Sequence, residues 1–288
     1  MKDQVIDEKK YRMHLYRILK FFISFCERHN LTYCCATGTM LGAVRHHDII
    51  PWDDDIDVFM PRKDYEKLLI LASGMERDGF RVISAKTCSS FATFAKIYSK
   101  DTTLWEFESI PFVYGVYIDI FPLDETSITK AEFIKNYRSF RNLFRKYQLS
   151  QMKFSFGRLF TDIKDGDKKM FIKGIASLFF PSFLSRHYRR KIIDFENRVA
   201  LENGSHLVSY YGDYWEREFF DKKWFENYVD MPFSDFKVKV PEGYHEYLTN
   251  VYGDYMKFPP VEKRVSHHYH YYLNMDKGMS LEEIKESK

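Results

Sequence analysis

A short acidic run holds the side chains that are the clearest candidates for chemistry in this chain. Asp53, Asp54, Asp55 and Asp57 fall within five positions. Polar and apolar residues alternate through residues 54–60, which predicts a strand with Asp55 and Asp57 on one face. Two carboxylates held close together repel each other unless a positive charge lies between them. Hard oxygen ligands select Mg²⁺ or Mn²⁺, so the run predicts a divalent metal site.

A second acidic side chain, Asp119, lies in a strongly apolar stretch with isoleucine on both sides. Residues 113–121 are predicted to form a strand. A buried carboxylate in such a strand is costly without a partner, so we expect Asp119 to lie beside Asp55 and Asp57 on a neighbouring strand. Three carboxylates from two strands can hold one or two metal ions for in-line displacement at phosphorus.

Two other interpretations compete for the acidic run. A solvated turn accounts for Asp53 and Asp54, but it accounts less well for the alternation that follows them. A calcium-binding loop would use Asp53, Asp55 and Asp57 as its first three ligands. That loop requires glycine at the next position, where this chain has Val58, and we therefore set it aside.

A glycine-threonine turn, Gly38 and Thr39, lies upstream of the acidic run, between a strand predicted at residues 31–37 and a short predicted helix. A small residue at that place lets phosphate approach backbone N–H groups at the helix N-terminus. Arg45, near the end of the same helix, has the charge to pair with phosphate oxygens. Lys96, on a later predicted strand, is a further candidate, although an exposed lysine explains it as well. An ordinary strand-to-helix turn is the alternative for the glycine and threonine.

The remaining pattern predicts an α+β fold. Apolar residues recur at spacings of three and four through residues 8–29, which indicates an amphipathic helix. A second long helix is predicted at residues 129–151, and strands are predicted at residues 80–84 and 91–99. A strand, a turn and a helix follow at residues 236–260, and the last dozen residues are expected to be loose.

An apolar segment with basic flanks, residues 170–191, allows two interpretations. A core helix with a basic end is the favoured one, because buried helices commonly have this pattern. The alternative is a segment that lies on a membrane, with its basic residues against lipid phosphates.

The composition of the chain excludes several classes of binding partner and several kinds of site. The chain has 288 residues, with 44 basic and 41 acidic side chains and a formal net charge of +3. So small a charge leaves no electrostatic footprint for nucleic acid, and we expect no such partner. The four cysteines have neither the spacing of a zinc site nor that of a disulfide framework. No signal peptide or membrane-spanning stretch is evident in the sequence, which predicts a cytoplasmic protein.

Together, the glycine-threonine turn, the acidic pair and the later single-aspartate strand resemble the motifs of the nucleotidyltransferase superfamily of DNA polymerase β. The chain is more closely similar to the LicD family, relatives of fukutin and fukutin-related protein. The stretches that carry the resemblance are residues 37–68, 116–124 and 252–267. The fold that it implies is a polymerase β-like mixed sheet with flanking helices and an added helical region.

The resemblance also implies roles for particular residues. Asp55, Asp57 and Asp119 would be the catalytic metal carboxylates, Asp53 matches a further acidic position, and His267 would contact substrate. The charge of the donor phosphates would be neutralised by Gly38 and Thr39 of the turn, Arg45 of the short helix and Lys96 of the later strand.

The same resemblance divides the chain into four parts. They are an N-terminal helix, a nucleotidyltransferase-like catalytic core, a helical region facing the acceptor or a membrane, and a return to the core with a loose tail. Their bounds are residues 1–30, 31–125, 126–235 and 236–288.

The activity implied by the resemblance is transfer of a phospho-substituent from a CDP-linked donor to a glycan hydroxyl, with release of CMP. Phosphocholine from CDP-choline is the family default in bacteria, with lipopolysaccharide, teichoic acid or capsule as acceptor, whereas eukaryotic relatives transfer ribitol phosphate. A lipid-linked acceptor would favour peripheral contact with the inner face of the membrane. The alternatives are a true nucleotidyltransferase that releases pyrophosphate and a non-catalytic binding module on the same fold.

Overall fold

The structure is a computed structural model that describes residues 6–87, 92–156, 168–200, 203–266 and 270–287. Its α-helices are α1 (Glu8–His29), α2 (Thr37–Arg45), α3 (Arg62–Leu71), α4 (Lys130–Gln151), α5 (Lys168–Ser177), α6 (Ser185–Val199), α7 (Tyr244–Tyr252) and α8 (Leu281–Glu286). Its strands are β1 (Cys34–Cys35), β2 (Asp57–Pro61), β3 (Phe80–Ile83), β4 (Ala95–Ser99), β5 (Thr103–Trp105), β6 (Tyr117–Thr126), β7 (His206–Val208), β8 (Phe219–Asp221), β9 (Tyr228–Phe233), β10 (Phe236–Pro241) and β11 (Tyr272–Asn274).

A mixed sheet with the strand order β1-β2-β6-β4-β3 forms the centre of the fold. Strands β2 and β6 run parallel, whereas the other neighbours in this order are antiparallel. The C-terminal half of β6 continues beyond β4 and pairs with β7, which in turn pairs with β8. This mixed sheet with surrounding helices confirms the predicted α+β class.

Helix α1 supports the sheet from one side. The Asp7 side chain caps its N-terminus by accepting from the Lys10 backbone N–H at 3.0 Å, and Asn30 ends it in the left-handed conformation. Its apolar stripe is buried, as the spacing of the sequence predicted. Leu15 and Phe22, for example, are fully buried in the main core. Helix α1 contacts β4 and β6, so its burial holds the two strands that carry Lys96 and Asp119.

The strands next to the acidic run differ in extent from their predictions. Strand β1 covers only residues 34–35 rather than 31–37, because the chain turns into α2 at Thr37, which has a φ of 38°. Strand β2 begins at Asp57, so Asp55 precedes the strand and strand alternation does not set its direction. Strand β6 begins later than predicted, at residue 117, and extends to residue 126.

A close contact explains the late start of β6. A Cβ atom on Gly115 would lie 1.9 Å from the Ser99 carbonyl oxygen, so only glycine fits where the two backbones cross. Just before that crossing, Tyr114 forms an isolated bridge with Leu104 rather than part of a longer strand.

The region at residues 126–235, predicted as helical, also contains strands. Strand β7 extends the central sheet by pairing with β6, and β9 pairs with β10 across the predicted boundary at residue 235. Strands β7 and β8 are each three residues long, which is too short for a period to be read from sequence. The apolar segment at residues 170–191 is not one helix, because Pro181 separates α5 from α6.

The C-terminal segment is more ordered than predicted. Strand β11 pairs with β5, and α8 follows it with a capping box between Ser280 and Glu283. Ile284 on α8 is fully buried. The prediction of a loose final dozen residues is therefore wrong for residues 277–287.

None of the helices in the parts of the chain that the structure describes is both long and apolar enough to cross a bilayer.

Candidate active site

Two neighbouring strands bring Asp57 and Asp119 together. In the parallel register of β2 and β6, Asp57 is the direct partner of Asp119. The Asp119 backbone N–H donates to the Ile56 carbonyl oxygen at 2.8 Å, which fixes this register at the start of β2. Asp55 lies on the segment that leads into β2. The expectation that Asp119 lies on the strand beside Asp57 is therefore confirmed, while the catalytic role of the three aspartates stays a prediction.

Lys96 approaches Asp119 from the opposite side. It is the partner of Asp119 in the antiparallel register of β4 and β6, and its Nζ donates to Asp119 Oδ1 at 2.7 Å. The ammonium group also lies 3.8 Å from the centre of the Tyr117 ring. Lys96 is buried, so the alternative of an exposed surface lysine is wrong. Its ammonium group binds this carboxylate, and its predicted contact with donor phosphate stays a prediction.

Electrostatic repulsion is concentrated at Asp55. Burial raises the pKa of the Asp55 carboxyl well above its ordinary value, and the charges of Asp57, Asp53 and Asp119 raise it further. These carboxylates fit a hard divalent cation in their chemistry, because such an ion would relieve the repulsion. In the described ranges, however, no three His, Cys, Asp or Glu side chains meet in an arrangement ready to hold a metal ion. The pairing of Asp119 with Lys96 is consistent with that finding.

The N-terminus of α2 positions the acidic side chains. Thr37 Oγ1 donates to Asp57 Oδ2 at 2.6 Å, and the Asp57 backbone N–H donates to Thr39 Oγ1 at 2.8 Å. A Cβ atom on Gly38 would lie 2.8 Å from Asp53 Oδ2, so glycine is required for this carboxylate to approach the helix. The turn thus binds the aspartates directly. Thr39 is buried, whereas Thr37, which the sequence reasoning missed, lies on the cavity wall.

Arg12 of α1 holds the loop before β2 in place. Its Nη2 donates to the carbonyl oxygens of Ile50, Pro51 and Asp53 at 3.0, 2.9 and 3.1 Å. One guanidinium group therefore donates hydrogen bonds to several backbone carbonyl oxygens of a loop that belongs to no helix or strand.

A cavity of about 840 Å³ opens in front of these carboxylates. Asp53, Asp55 and Asp57 line one side, together with Thr37 and Gly38. Its volume lies within the range of pockets that bind cofactors and other small molecules.

The far end of the cavity is aromatic and basic. Arg45 lies there with its Nη1 donating to the Tyr255 carbonyl oxygen at 2.6 Å and its guanidinium carbon 4.8 Å from the centre of the Phe258 ring. Trp52, Lys257 and further residues up to residue 265 complete this end. Arg45 therefore lines the same cavity as the acidic run, as its predicted role requires, while the contact with phosphate stays a prediction. His267 lies outside the described residues.

One wall of the cavity contains two tyrosines that the sequence reasoning missed. Tyr214 and Tyr252 line the cavity, and the Tyr214 hydroxyl donates to the Tyr252 hydroxyl at 2.9 Å. Burial raises the pKa of Tyr214 to about 12, and the negative charge of Asp57 contributes to the shift. A signal in the sequence was available, since Tyr-Gly-Asp-Tyr occurs at residues 211–214 and again at residues 252–255. Asp213 and Asp254, from the two copies, also line the cavity.

Glu218 holds the Tyr214 part of this wall in place. It is fully buried, and its Oε1 accepts from the Tyr214 backbone N–H at 3.1 Å. Burial raises the pKa of Glu218 to about 8, so the folded chain keeps this proton at pH values where the unfolded chain has lost it.

We expect Glu218 to make the chain less stable as the pH rises from about 5 to about 8. In that range the folded state binds more protons than the unfolded state, so the free energy of unfolding falls by roughly 1 kcal/mol per pH unit. Glu218→Gln removes the titrating group while keeping an acceptor oxygen for the Tyr214 N–H. Urea unfolding across this pH range should give a flatter profile for Glu218→Gln than for the unmodified chain. Parallel profiles would show that Glu218 is ionised in the folded state.

Comparison with known proteins connects this geometry to a family. The model of the LicD/FKTN/FKRP nucleotidyltransferase domain matches residues 30–161, which include Asp55, Asp57, Asp119 and Lys96. The tyrosine wall at residues 211–214 and 252–255 lies beyond that match.

Three relatives share sequence with the chain. The lipopolysaccharide cholinephosphotransferase LicD of Haemophilus influenzae is 27% identical over 256 residues, covering 87% of this chain and 92% of the relative. An uncharacterized protein of Rickettsia typhi is 28% identical over 149 residues, covering 49% of this chain and 48% of the relative. An uncharacterized protein of Rickettsia prowazekii is 36% identical over 93 residues, covering 28% of this chain and 35% of the relative. Residues 30–161 therefore match the LicD/FKTN/FKRP nucleotidyltransferase domain, and the LicD relative of Haemophilus influenzae aligns with most of this chain.

Proposed function

We propose that this chain is a metal-dependent phosphotransferase of the nucleotidyltransferase fold, which moves phosphocholine from a CDP-linked donor to a hydroxyl of a cell-surface glycan. The observation that carries the proposal is the direct pairing of Asp119 with Asp57, which lines a cavity of about 840 Å³, inside the segment matched to the LicD/FKTN/FKRP nucleotidyltransferase domain. The name of the Haemophilus influenzae relative, a lipopolysaccharide cholinephosphotransferase, supports phosphocholine as the transferred group and a glycan as the acceptor.

The donor would lie along the cavity with its diphosphate between the acidic and basic ends. Asp55, Asp57 and Asp119 would hold Mg²⁺ or Mn²⁺, which when bound supplies positive charge to the diphosphate oxygens. Arg45, whose backbone partners fix its guanidinium group, would neutralise phosphate oxygens at the other end together with Lys257.

The reaction itself is a displacement at phosphorus. The oxygen of the acceptor hydroxyl forms a bond to the phosphorus that bears choline, and the bond to the bridging oxygen breaks, so that CMP leaves with that oxygen. Asp119 is our candidate for the carboxylate that takes the proton of the hydroxyl. Its hydrogen bond from Lys96 fixes the direction of that carboxylate. Little covalent work falls to the protein, because orientation and charge stabilisation carry phosphoryl transfer.

The tyrosine wall supports choline as the alcohol in the donor. Tyr214 and Tyr252 contribute aromatic side chains to the cavity lining, and Asp213 and Asp254 belong to the same lining. Aromatic faces attract quaternary ammonium groups. A polyalcohol such as ribitol would instead need hydrogen-bond partners for each of its hydroxyl groups.

The test is product analysis on a panel of donors. The purified chain is incubated with Mg²⁺ and CDP-choline, CDP-ethanolamine, CDP-glycerol or CDP-ribitol, with and without lipopolysaccharide or teichoic acid. We expect CMP to form fastest from CDP-choline, with phosphocholine on the acceptor, and EDTA to stop the reaction.

Other products would point to the alternatives. Release of pyrophosphate from CTP would indicate a true nucleotidyltransferase that attacks the α-phosphorus. Binding of CDP-choline without turnover on any acceptor would indicate a non-catalytic module. CMP release from another donor would keep the reaction class and replace choline.

A further inference from the structure

A row of exposed apolar side chains lies on one side of the helical region. We call it the apolar ridge and define it as Ile172, Ile175, Leu178, Phe179 and Phe183, which are 64, 39, 54, 75 and 78% exposed. These residues fall within twelve consecutive positions. Single exposed apolar residues are common, but five of them in one short segment are typical of an interaction surface.

Local structure explains why the ridge is not part of the core. Helix α5 packs on α4 through another side, where Met170, Lys173 and Ala176 line a crevice with Phe144. Ile172, Ile175 and Phe179 follow each other at spacings of three and four, and this stripe stays exposed although Ile172 also lines the crevice. Helix α5 ends at Ser177, and Pro181 lies between it and α6. The favoured interpretation from sequence, a buried core helix, is therefore wrong for this stripe.

The charge around the ridge has a single sign. No Asp or Glu occurs from residue 168 to residue 193, although acidic and basic residues are nearly balanced over the whole chain. Arg186, Arg190 and Lys191 are exposed at the start of α6, directly after Phe183. Arg189 is directed inward instead, with its Nε donating to the Ala85 carbonyl oxygen at 2.7 Å. The basic side chains that face solvent here are thus available to an anionic surface.

We propose that the apolar ridge and its basic flank dock on an anionic phospholipid bilayer. The ridge side chains would enter the boundary between head groups and acyl chains, and Arg186, Arg190 and Lys191 would contact lipid phosphates. The charge favours lipid over a second copy of this chain, because two copies would bring the same positive flanks together. The proposal does not depend on the transferase activity, since its residues lie outside the cavity that holds the carboxylates.

The experiment is co-sedimentation of the full chain with vesicles of phosphatidylcholine alone or mixed with phosphatidylglycerol. We expect binding to the anionic vesicles and weak binding to the neutral ones. The double variant Phe179→Ser/Phe183→Ser should bind anionic vesicles at least about ten-fold more weakly, because two large side chains no longer enter the bilayer. Arg186→Gln/Arg190→Gln/Lys191→Gln should lose about five-fold per charge at low salt, and less at high salt.

Ile70→Ser is the matched control, since Ile70 is 79% exposed but lies on α3, away from the ridge. It should bind vesicles like the unmodified chain. Circular dichroism and unfolding midpoints should be unchanged in every variant, because all the substituted residues are exposed. CMP release from a soluble donor should also be unchanged in the ridge variants, which separates this test from the test of the proposed function.

Two results would overturn the proposal. One is equal binding of the unmodified chain and Phe179→Ser/Phe183→Ser to anionic vesicles. The other is failure to bind vesicles together with a dimer that the same double variant converts to a monomer in light scattering, which would assign the ridge to a second copy of this chain.

Discussion

Asp57→Asn is expected to lower the rate of CMP release by at least about a thousand-fold, because it removes a negative charge from the proposed metal site. The substitution keeps the size of the side chain and an oxygen that can accept from Thr37 Oγ1, which binds Asp57 at 2.6 Å. The fold should therefore survive, and relief of repulsion with Asp55 should leave the unfolding midpoint equal or higher. Initial rates with saturating donor and Mg²⁺, together with urea unfolding, measure both effects.

Asp54→Asn is the control for this prediction. Asp54 belongs to the same acidic run, but its Oδ2 accepts from the Ser266 hydroxyl. The main cavity is lined instead by Asp53, Asp55 and Asp57. We expect Asp54→Asn to keep its rate within about ten-fold of the unmodified chain. Equal losses in Asp54→Asn and Asp57→Asn would show that the run acts through its total charge, and full activity in Asp57→Asn would remove Asp57 from the site.

The pairing of Asp57 with Asp119 could be anticipated from sequence because two constraints agree. Alternation placed Asp57 at a strand, and the energetic penalty of a lone carboxylate between isoleucines required a charged neighbour for Asp119. Lys96 could not be assigned in the same way. Its partner depends on β4 lying beside β6, and a single sequence gives no direct information about which strands are neighbours.

The second wall of the cavity was hidden for a related reason. Tyr214 lies in an irregular segment between β7 and β8, far in sequence from the acidic run. Its place in the same cavity lining as Asp57 depends on the way β7 extends β6. Only the repeated Tyr-Gly-Asp-Tyr tetrapeptide pointed to these residues, and a repeat of four residues carries no information about where it folds.

Element length decided how well the fold could be predicted. Helices α1 and α4, of 22 residues each, show several turns of apolar periodicity and were predicted to within a residue. Strands β7 and β8 are too short to show a period. In the segment around Phe179 the apolar pattern is visible, but it does not show what covers the stripe. An apolar stripe has the same period whether protein or lipid covers it. In the structure Phe179 is 75% exposed, so the protein itself does not cover it.

The largest effect on stability is expected at Arg62, the first residue of α3. Its guanidinium group is buried and forms two hydrogen bonds with Asp124, from Nε to Oδ1 at 2.6 Å and from Nη2 to Oδ2 at 3.0 Å. Its Nη1 lies 3.5 Å from Glu196 Oε1 and donates to Glu66 at 3.0 Å. Because Asp124 lies on β6 and Glu196 on α6, this one side chain ties the central sheet to the helical region.

Arg62→Met should therefore lower the free energy of unfolding by about 3–5 kcal/mol, because it leaves Asp124 and Glu196 buried without their positive partner. Arg81→Met is the matched control. Arg81 also binds a glutamate, with Nε 2.8 Å from Glu76 Oε1, but both side chains are about half exposed. Solvent screens such a pair, so the control should lose less than about 1 kcal/mol. Urea unfolding at neutral pH compares the two, and similar losses would mean that burial does not strengthen the Arg62 network.

A double variant distinguishes the loss of attraction from the penalty of an unpaired charge. If the unpaired Asp124 carboxylate causes most of the loss, then Arg62→Met/Asp124→Leu should be more stable than Arg62→Met alone, since replacing both members of a buried pair by apolar residues is often close to neutral. Glu196 would remain, with Tyr211 still donating to its Oε1 at 3.0 Å. Burial already raises the pKa of Glu196, so this carboxyl can take up a proton when the arginine is absent. The double variant should therefore lie closer in stability to the unmodified chain at pH 5 than at pH 8, and a difference from the unmodified chain that is independent of pH would show that Glu196 carries none of the penalty.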